Sequence, residues 1–205
     1  EILGMLHKNP GNEILFHHRK PTSTSNTENT AHPLCSKDNF EKHNYYMVHN
    51  GMIYNSRELY RKHTDAKLKY DSVCGVGKFD EPIFNDSESL MLELALVIEG
   101  KKDAKEFGAY GSMAFIMIQT DKDNKPLNLY FGRNEGSPLK IKGSKEKLII
   151  ASDITGEDVA ENKLNRISYI TNEMVSEAMD FPRHDKSFNV SDVYVGNRMF
   201  GEGRR

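Results

Sequence analysis

The run Ser112-Met113-Ala114-Phe115-Ile116-Met117-Ile118-Gln119, followed by Asp121-Lys122-Asp123-Asn124-Lys125-Pro126 and then Leu127-Asn128-Leu129-Tyr130-Phe131-Gly132-Arg133, decides the fold class. Two apolar stretches rich in strand formers flank a polar segment of turn formers, which predicts an antiparallel hairpin. Working outward, Leu139–Lys142 and Lys147–Ser152 repeat the pattern around Gly143-Ser144 and predict a second hairpin. Upstream, Asp86-Ser87-Glu88 opens a helix in which Leu90, Leu94 and Val97 share a face widened by Met91 and Ile98, with Gly100 as its stop. Ser56 is placed to cap a helix through Lys62. Tyr45 to His49 reads as a strand that ends in a turn or a special site at Asn50-Gly51, and Glu13 to His18 reads as an earlier strand. Ile2, Leu3 and Leu6 read as the last turns of a helix. Helices first and hairpins later predict an α+β layered sandwich rather than a parallel βαβ sheet.

Bulk composition excludes several classes. The 205 residues carry 28 Lys+Arg against 30 Asp+Glu, a formal net charge of −2, so nothing in the charge points to nucleic acid. No apolar run approaches the roughly 18 residues of a membrane span. Two cysteines, Cys35 and Cys74, give no disulfide framework and no Cys-x-x-Cys zinc spacing, which makes a reducing, cytoplasmic compartment the expectation. His17-His18 invites a metal reading, but neighbours on a strand point to opposite faces, so no metal and no cofactor are expected. Residues 1–180 are expected to form one domain, with 181–205 as a polar C-terminal tail.

Three constellations carry chemistry, each with an ordinary structural alternative. Asn50-Gly51 is either a plain turn or an oxyanion site, in which an amide side chain and a backbone N–H face one oxygen as it gains charge. Arg19, followed by Thr22, Ser23 and Thr24, is either a solvated loop or a bidentate carboxylate clamp completed by hydroxyls. Asn85-Asp86-Ser87-Glu88 is either a helix cap or a place where Asp86 neutralises an ammonium. Together, the three sharper readings are the fittings needed to hold a free α-amino acid and to attack its side-chain amide.

The motifs also occur in a known order. His17-His18-Arg19-Lys20-Pro21-Thr22, Thr30-Ala31-His32-Pro33, Val48-His49-Asn50-Gly51-Met52-Ile53-Tyr54-Asn55, Asn85-Asp86-Ser87-Glu88, Gly108-Ala109-Tyr110-Gly111-Ser112, Arg133 through Ser137-Pro138-Leu139, and Ala151-Ser152-Asp153 follow one another. This order resembles the class II glutamine amidotransferase domain, the N-terminal-nucleophile glutaminase of glucosamine-6-phosphate synthase and amidophosphoribosyltransferase. The chain departs from that pattern at Lys20-Pro21, where the family has Trp-Ala, and at Ser23, where many relatives have His.

The resemblance implies a four-layer αββα sandwich with a glutamine pocket at the strand ends. It implies that Arg19, helped by Thr22, takes the α-carboxylate, that Asp86 takes the α-ammonium, and that Asn50 and the Gly51 N–H form the oxyanion hole. Arg133 and the Ser137-Pro138-Leu139 turn are implied to be structural. The implied reaction is attack of a cysteine thiolate on the glutamine amide, loss of ammonia and hydrolysis of the thioester. The family's nucleophile is the first residue of its mature chain, whereas this sequence starts at Glu1 and neither Cys35 nor Cys74 has the required position. A longer natural chain is therefore expected. The implied partners are glutamine and a partner protein or acceptor domain that receives ammonia, with a homo-oligomer as a further arrangement. The alternative is a catalytically inactive member of the family that serves as a structural or binding module.

Overall fold

The protein is described from a computed structural model that covers residues 14–17, 24, 27–143 and 147–184. Its elements in chain order are β1 (Leu34–Ser36), β2 (Asn44–Ile53), α1 (Ser56–Asp65), β3 (Gly75–Val76), β4 (Pro82–Ile83), α2 (Asp86–Ile98), β5 (Gly111–Thr120) and β6 (Pro126–Arg133). They continue with β7 (Lys140–Gly143), β8 (Leu148–Ala151), β9 (Glu157–Asp158), β10 (Lys163–Ser168) and β11 (Met174–Ala178). One antiparallel sheet takes the order β1-β2-β5-β6-β10-β11, a three-stranded sheet takes the order β8-β7-β9, and β3 and β4 form a short hairpin. Among the described residues no helix is long and apolar enough to cross a membrane.

The central hairpin forms as expected, with Ile116 opposite Phe131 and Met117 opposite Tyr130. Its connection is fixed by Asp121, whose Oδ1 accepts the N–H groups of Asp123 and Lys125. The unbroken apolar run of β5 is explained by burial on both faces. Met113, Phe115 and Met117 pack with Leu59 of α1 and with Leu90, Met91 and Leu94 of α2. Ala114 and Ile116 pack instead with Phe131, Leu139 and Val159, under the three-stranded sheet. The described layers are thus a helix pair, the large sheet and the small sheet.

Several expectations are corrected. Asn50-Gly51 is not a hairpin turn, because β2 runs through it to Ile53 and pairs with β5 along its whole length. Ile14 to His17 form no strand, and Ile14 and Phe16 are exposed, so no burial holds this stretch extended. Asn55, not Ser56, occupies the cap position of α1; its side chain donates to the Gly108 carbonyl and accepts the Tyr110 N–H instead of capping. Helix α2 begins and ends where expected, and Gly100 closes it at φ +66°. It is not amphipathic, however, since every residue from Ser87 to Ala95 is buried. Burial reaches all round because the charged positions are satisfied internally. Glu88 accepts from the N–H groups of Asp71 and Ser72 and from the Ser72 hydroxyl. Glu93 accepts from His63, Lys102 and the Gly108 N–H. Strands β10 and β11 extend the sheet beyond any predicted element, and Phe181 is buried edge-on against Phe107 and Phe115. The predicted helix at residues 2–6 and most of the tail from 181 lie outside the described residues.

Candidate active site

A cavity of about 730 Å³ opens between the second half of β2, the start of α2 and the β3–β4 hairpin. Small-molecule sites commonly span roughly 300–1,000 Å³. Its wall carries Asn50 and Gly51 from β2 and Asp86 from α2, so residues from two motifs distant in sequence converge on one space. Asn50 is exposed, and its carboxamide has no hydrogen-bond partner among the described residues.

Gly51 is required by geometry. Its φ is +149°, and a Cβ built there would lie 1.9 Å from the Ser112 carbonyl oxygen. No L side chain fits that position, so the main chain of β2 is bare where it borders the cavity.

Asp86 is the first residue of α2, where its charge suits the helix dipole. Its Oδ2 accepts the backbone N–H of Ile53 at 2.7 Å, while Oδ1 has no hydrogen-bond partner among the described residues. Asn85 sets the helix start: its Oδ1 accepts the Ser87 N–H at 3.1 Å and its Nδ2 donates to the Thr30 carbonyl at 2.9 Å. Asn85 therefore does perform the capping role, while Asp86 keeps one oxygen for something else.

Three histidines line the same cavity. The rings of His17 and His32 lie 4.4 Å apart, and His32 Nδ1 accepts the His49 backbone N–H at 3.3 Å. The His49 ring is buried, with Nδ1 2.8 Å from the Ser87 hydroxyl and Nε2 3.2 Å from the Ser112 carbonyl. Burial pushes its basicity down, against the raising influence of the Asp86 charge and the Ser112 carbonyl. His32, His49, Ser87 and Ser112 were visible inside the quoted motifs but carried no assigned role there; the contacts that give them one join residues distant in sequence.

Of the predicted site residues, Asn50, Gly51 and Asp86 are brought together, whereas Arg19 and Thr22 lie outside the described residues. Neither cysteine lines the cavity: Cys35 is in β1, where burial pushes its thiol up, and the Cys74 thiol donates to the Ile83 carbonyl. Among the described residues no group of three or more His, Cys, Asp or Glu side chains could hold a metal ion. Arg133 is committed to the Val159 carbonyl and Glu161, and Leu139 is buried in the smaller core cluster.

No family model matches the sequence, and no curated protein matches it. Among solved structures, the chain is similar to glutamine phosphoribosylpyrophosphate amidotransferase from B. subtilis complexed with ADP and GMP, at 14% identity and a TM-score of 0.48, over 76% of this chain and 33% of that one. It is also similar to a glutamine aminotransferase class-II domain protein from Silicibacter pomeroyi, at 12% identity and a TM-score of 0.38, over 70% of this chain and 71% of that one. The chain thus spans about a third of the length of the first of these. Both are likenesses in the course of the main chain, and the chemistry of the cavity rests on its own side chains.

Proposed function

We propose that this chain forms the glutamine-binding part of a class II glutamine amidotransferase domain. The observation that carries the reading is the convergence of Asn50, Gly51 and Asp86 on one cavity, with Gly51 in a conformation closed to other residues. In this reading Asp86 Oδ1 takes the α-ammonium of glutamine, and Arg19 with Thr22 takes its α-carboxylate. The side-chain carbonyl then sits against Asn50 and the N–H of Gly51.

The Gly51 N–H has a physical basis. Alternate N–H groups of an antiparallel strand face the same edge. The N–H groups of His49 and Ile53 are taken by His32 and Asp86 rather than by β5. Gly51 stands midway between them, which gives its N–H the same outward edge. Attack on the amide carbon turns the carbonyl oxygen into an oxyanion, which Asn50 Nδ2 and this N–H stabilise while ammonia leaves. Hydrolysis of the resulting thioester releases glutamate, and the ammonia passes to an acceptor on a partner protein or a further domain. The nucleophile is assigned to neither Cys35 nor Cys74, since neither lines the cavity.

The same reading takes the small sheet as part of the second sheet of a four-layer αββα sandwich, residues 1–180 as one domain with 181–205 as its tail, and the cytoplasm as its compartment. The cysteines favour a second reading, a binding module that holds glutamine without turning it over. Calorimetry with L-glutamine, paired with a glutamate-release assay on the natural protein, separates the two. Binding with release supports the enzyme, and binding without release supports the module. No binding, or binding unchanged in Arg19→Ala, overturns the assignment of this cavity to glutamine.

A further inference from the structure

Ser112 of β5 holds β2 on both sides of Gly51. Its carbonyl oxygen meets His49 Nε2 at 3.2 Å, two residues before Gly51, and its hydroxyl accepts the Met52 N–H at 3.1 Å, just after it. A carbonyl oxygen only accepts, so Nε2 must carry the ring proton; Nδ1 then accepts from the Ser87 hydroxyl, 2.8 Å away. One neutral tautomer of His49 satisfies both contacts. The ring is also packed directly on the glycine, since a Cβ built at Gly51 would lie 2.8 Å from His49 Nε2. Ser87 is itself fixed, because its own N–H is held by Asn85 Oδ1 at the start of α2.

We infer that His49 and Ser87 are positioning residues that hold the Asn50–Gly51 peptide in the orientation its oxyanion role needs, with Ser112 as the fixed point on the neighbouring strand. The inference rests on the glutamine reading for its purpose and on the hydrogen bonds for its geometry. Glycine reaches positive φ as readily as negative φ, so its own backbone does not fix this peptide and the surroundings must. Here those surroundings are a chain of contacts from Asn85 through Ser87 and His49 to Ser112. The chain starts one residue on either side of Asp86, so a single helix turn places both the ammonium-binding carboxylate and the support of the oxyanion hole.

The test uses the intact protein and four variants: His49→Leu, His49→Gln, Ser87→Ala and Ser87→Thr. The Gln side chain keeps an N–H donor for the Ser112 carbonyl, and Thr keeps the hydroxyl. The local readout is the amide resonance and hydrogen exchange of Gly51 in ¹⁵N-glycine-labelled protein. His49→Leu and Ser87→Ala should move that resonance and speed its exchange at least tenfold, with Gln and Thr restoring most of the effect. Where the protein releases glutamate, the first pair should also lower kcat by about 10–100-fold with KM nearly unchanged, because a small misplacement of a donor costs turnover rather than ground-state binding. An unmoved Gly51 amide in folded Ser87→Ala, or a loss confined to KM, overturns the inference. If His49→Leu does not fold, Ser87→Ala against Ser87→Thr decides. A Gly51 amide that responds as described in a protein that binds no glutamine separates the two ideas: the support stands and the glutamine reading falls.

Discussion

The Asp86 carboxylate accepts the Ile53 N–H at 2.7 Å, which ties the first residue of α2 to the last residue of β2 and leaves its other oxygen without a hydrogen-bond partner among the described residues. The two tasks can be separated. Asp86→Asn keeps an acceptor for Ile53 but removes the charge, so glutamine affinity should fall by about 2 kcal/mol, roughly 30-fold, with little change in thermal stability. Asp86→Ala should lose both affinity and stability. Calorimetry and thermal denaturation on the two variants check this; an Asn variant that binds as tightly as the natural protein removes Asp86 from the site.

Two glycines of positive φ should respond differently to the same change. At Gly51 an added methyl meets the Ser112 carbonyl at 1.9 Å, so Gly51→Ala should cost about 3 kcal/mol or more, strain and overlap together. At Gly100, φ is +66° and nothing lies within 4 Å of the added atom, so Gly100→Ala should cost only about 1 kcal/mol. Urea denaturation of both variants measures the difference. Equal costs would mean that β2 shifts easily and that Gly51 is not held in place.

The hairpin β5–β6 was legible because its apolar runs and turn residues are local signals, and α2 was legible from its acidic start and Gly100. The burial of α2 was not, because Glu88 and Glu93 look like surface residues until their partners at Ser72, His63 and Lys102 are known. Strand β11 has no burial to impose a pattern, since all five of its residues are exposed. At the site, Asn50, Gly51 and Asp86 were legible as residue types in motifs. Their convergence, and the contacts of His49 with Ser87 and Ser112, are products of tertiary pairing that no local window contains.

Asn50 should matter to turnover more than to binding. Its carboxamide has no hydrogen-bond partner among the described residues, so replacing it removes nothing from the fold that is seen here. On the proposed oxyanion role, Asn50→Ala should lower glutamate release by about 10²–10³-fold with KM nearly unchanged, because the amide would then act on charge that develops only in the transition state. Steady-state kinetics test this directly. A larger loss in affinity than in kcat would make Asn50 a ground-state contact and remove it from the oxyanion hole.

Glu93 gives the fold a defined acid sensitivity. Burial alone would raise its pKa, but hydrogen bonds from His63, Lys102 and the Gly108 N–H overcome that and hold it at about 2, below its usual 4.5. A lowered carboxyl binds its proton later than the unfolded chain does, so its contribution is complete above about pH 5 and drains away as the pH falls from 4.5 toward 2. Glu88, raised by burial, works in the opposite direction, so the effect must be read as a difference between proteins. Glu93→Gln presents an amide N–H₂ to neighbours that are themselves donors and should cost about 3 kcal/mol at pH 7. That deficit should shrink on acidification, because only the natural protein loses the Glu93 contribution in this window. Denaturation midpoints at pH 7, 5 and 3 measure it, and a deficit that stays constant across the three would show that the Glu93 charge does not support the packing of α2.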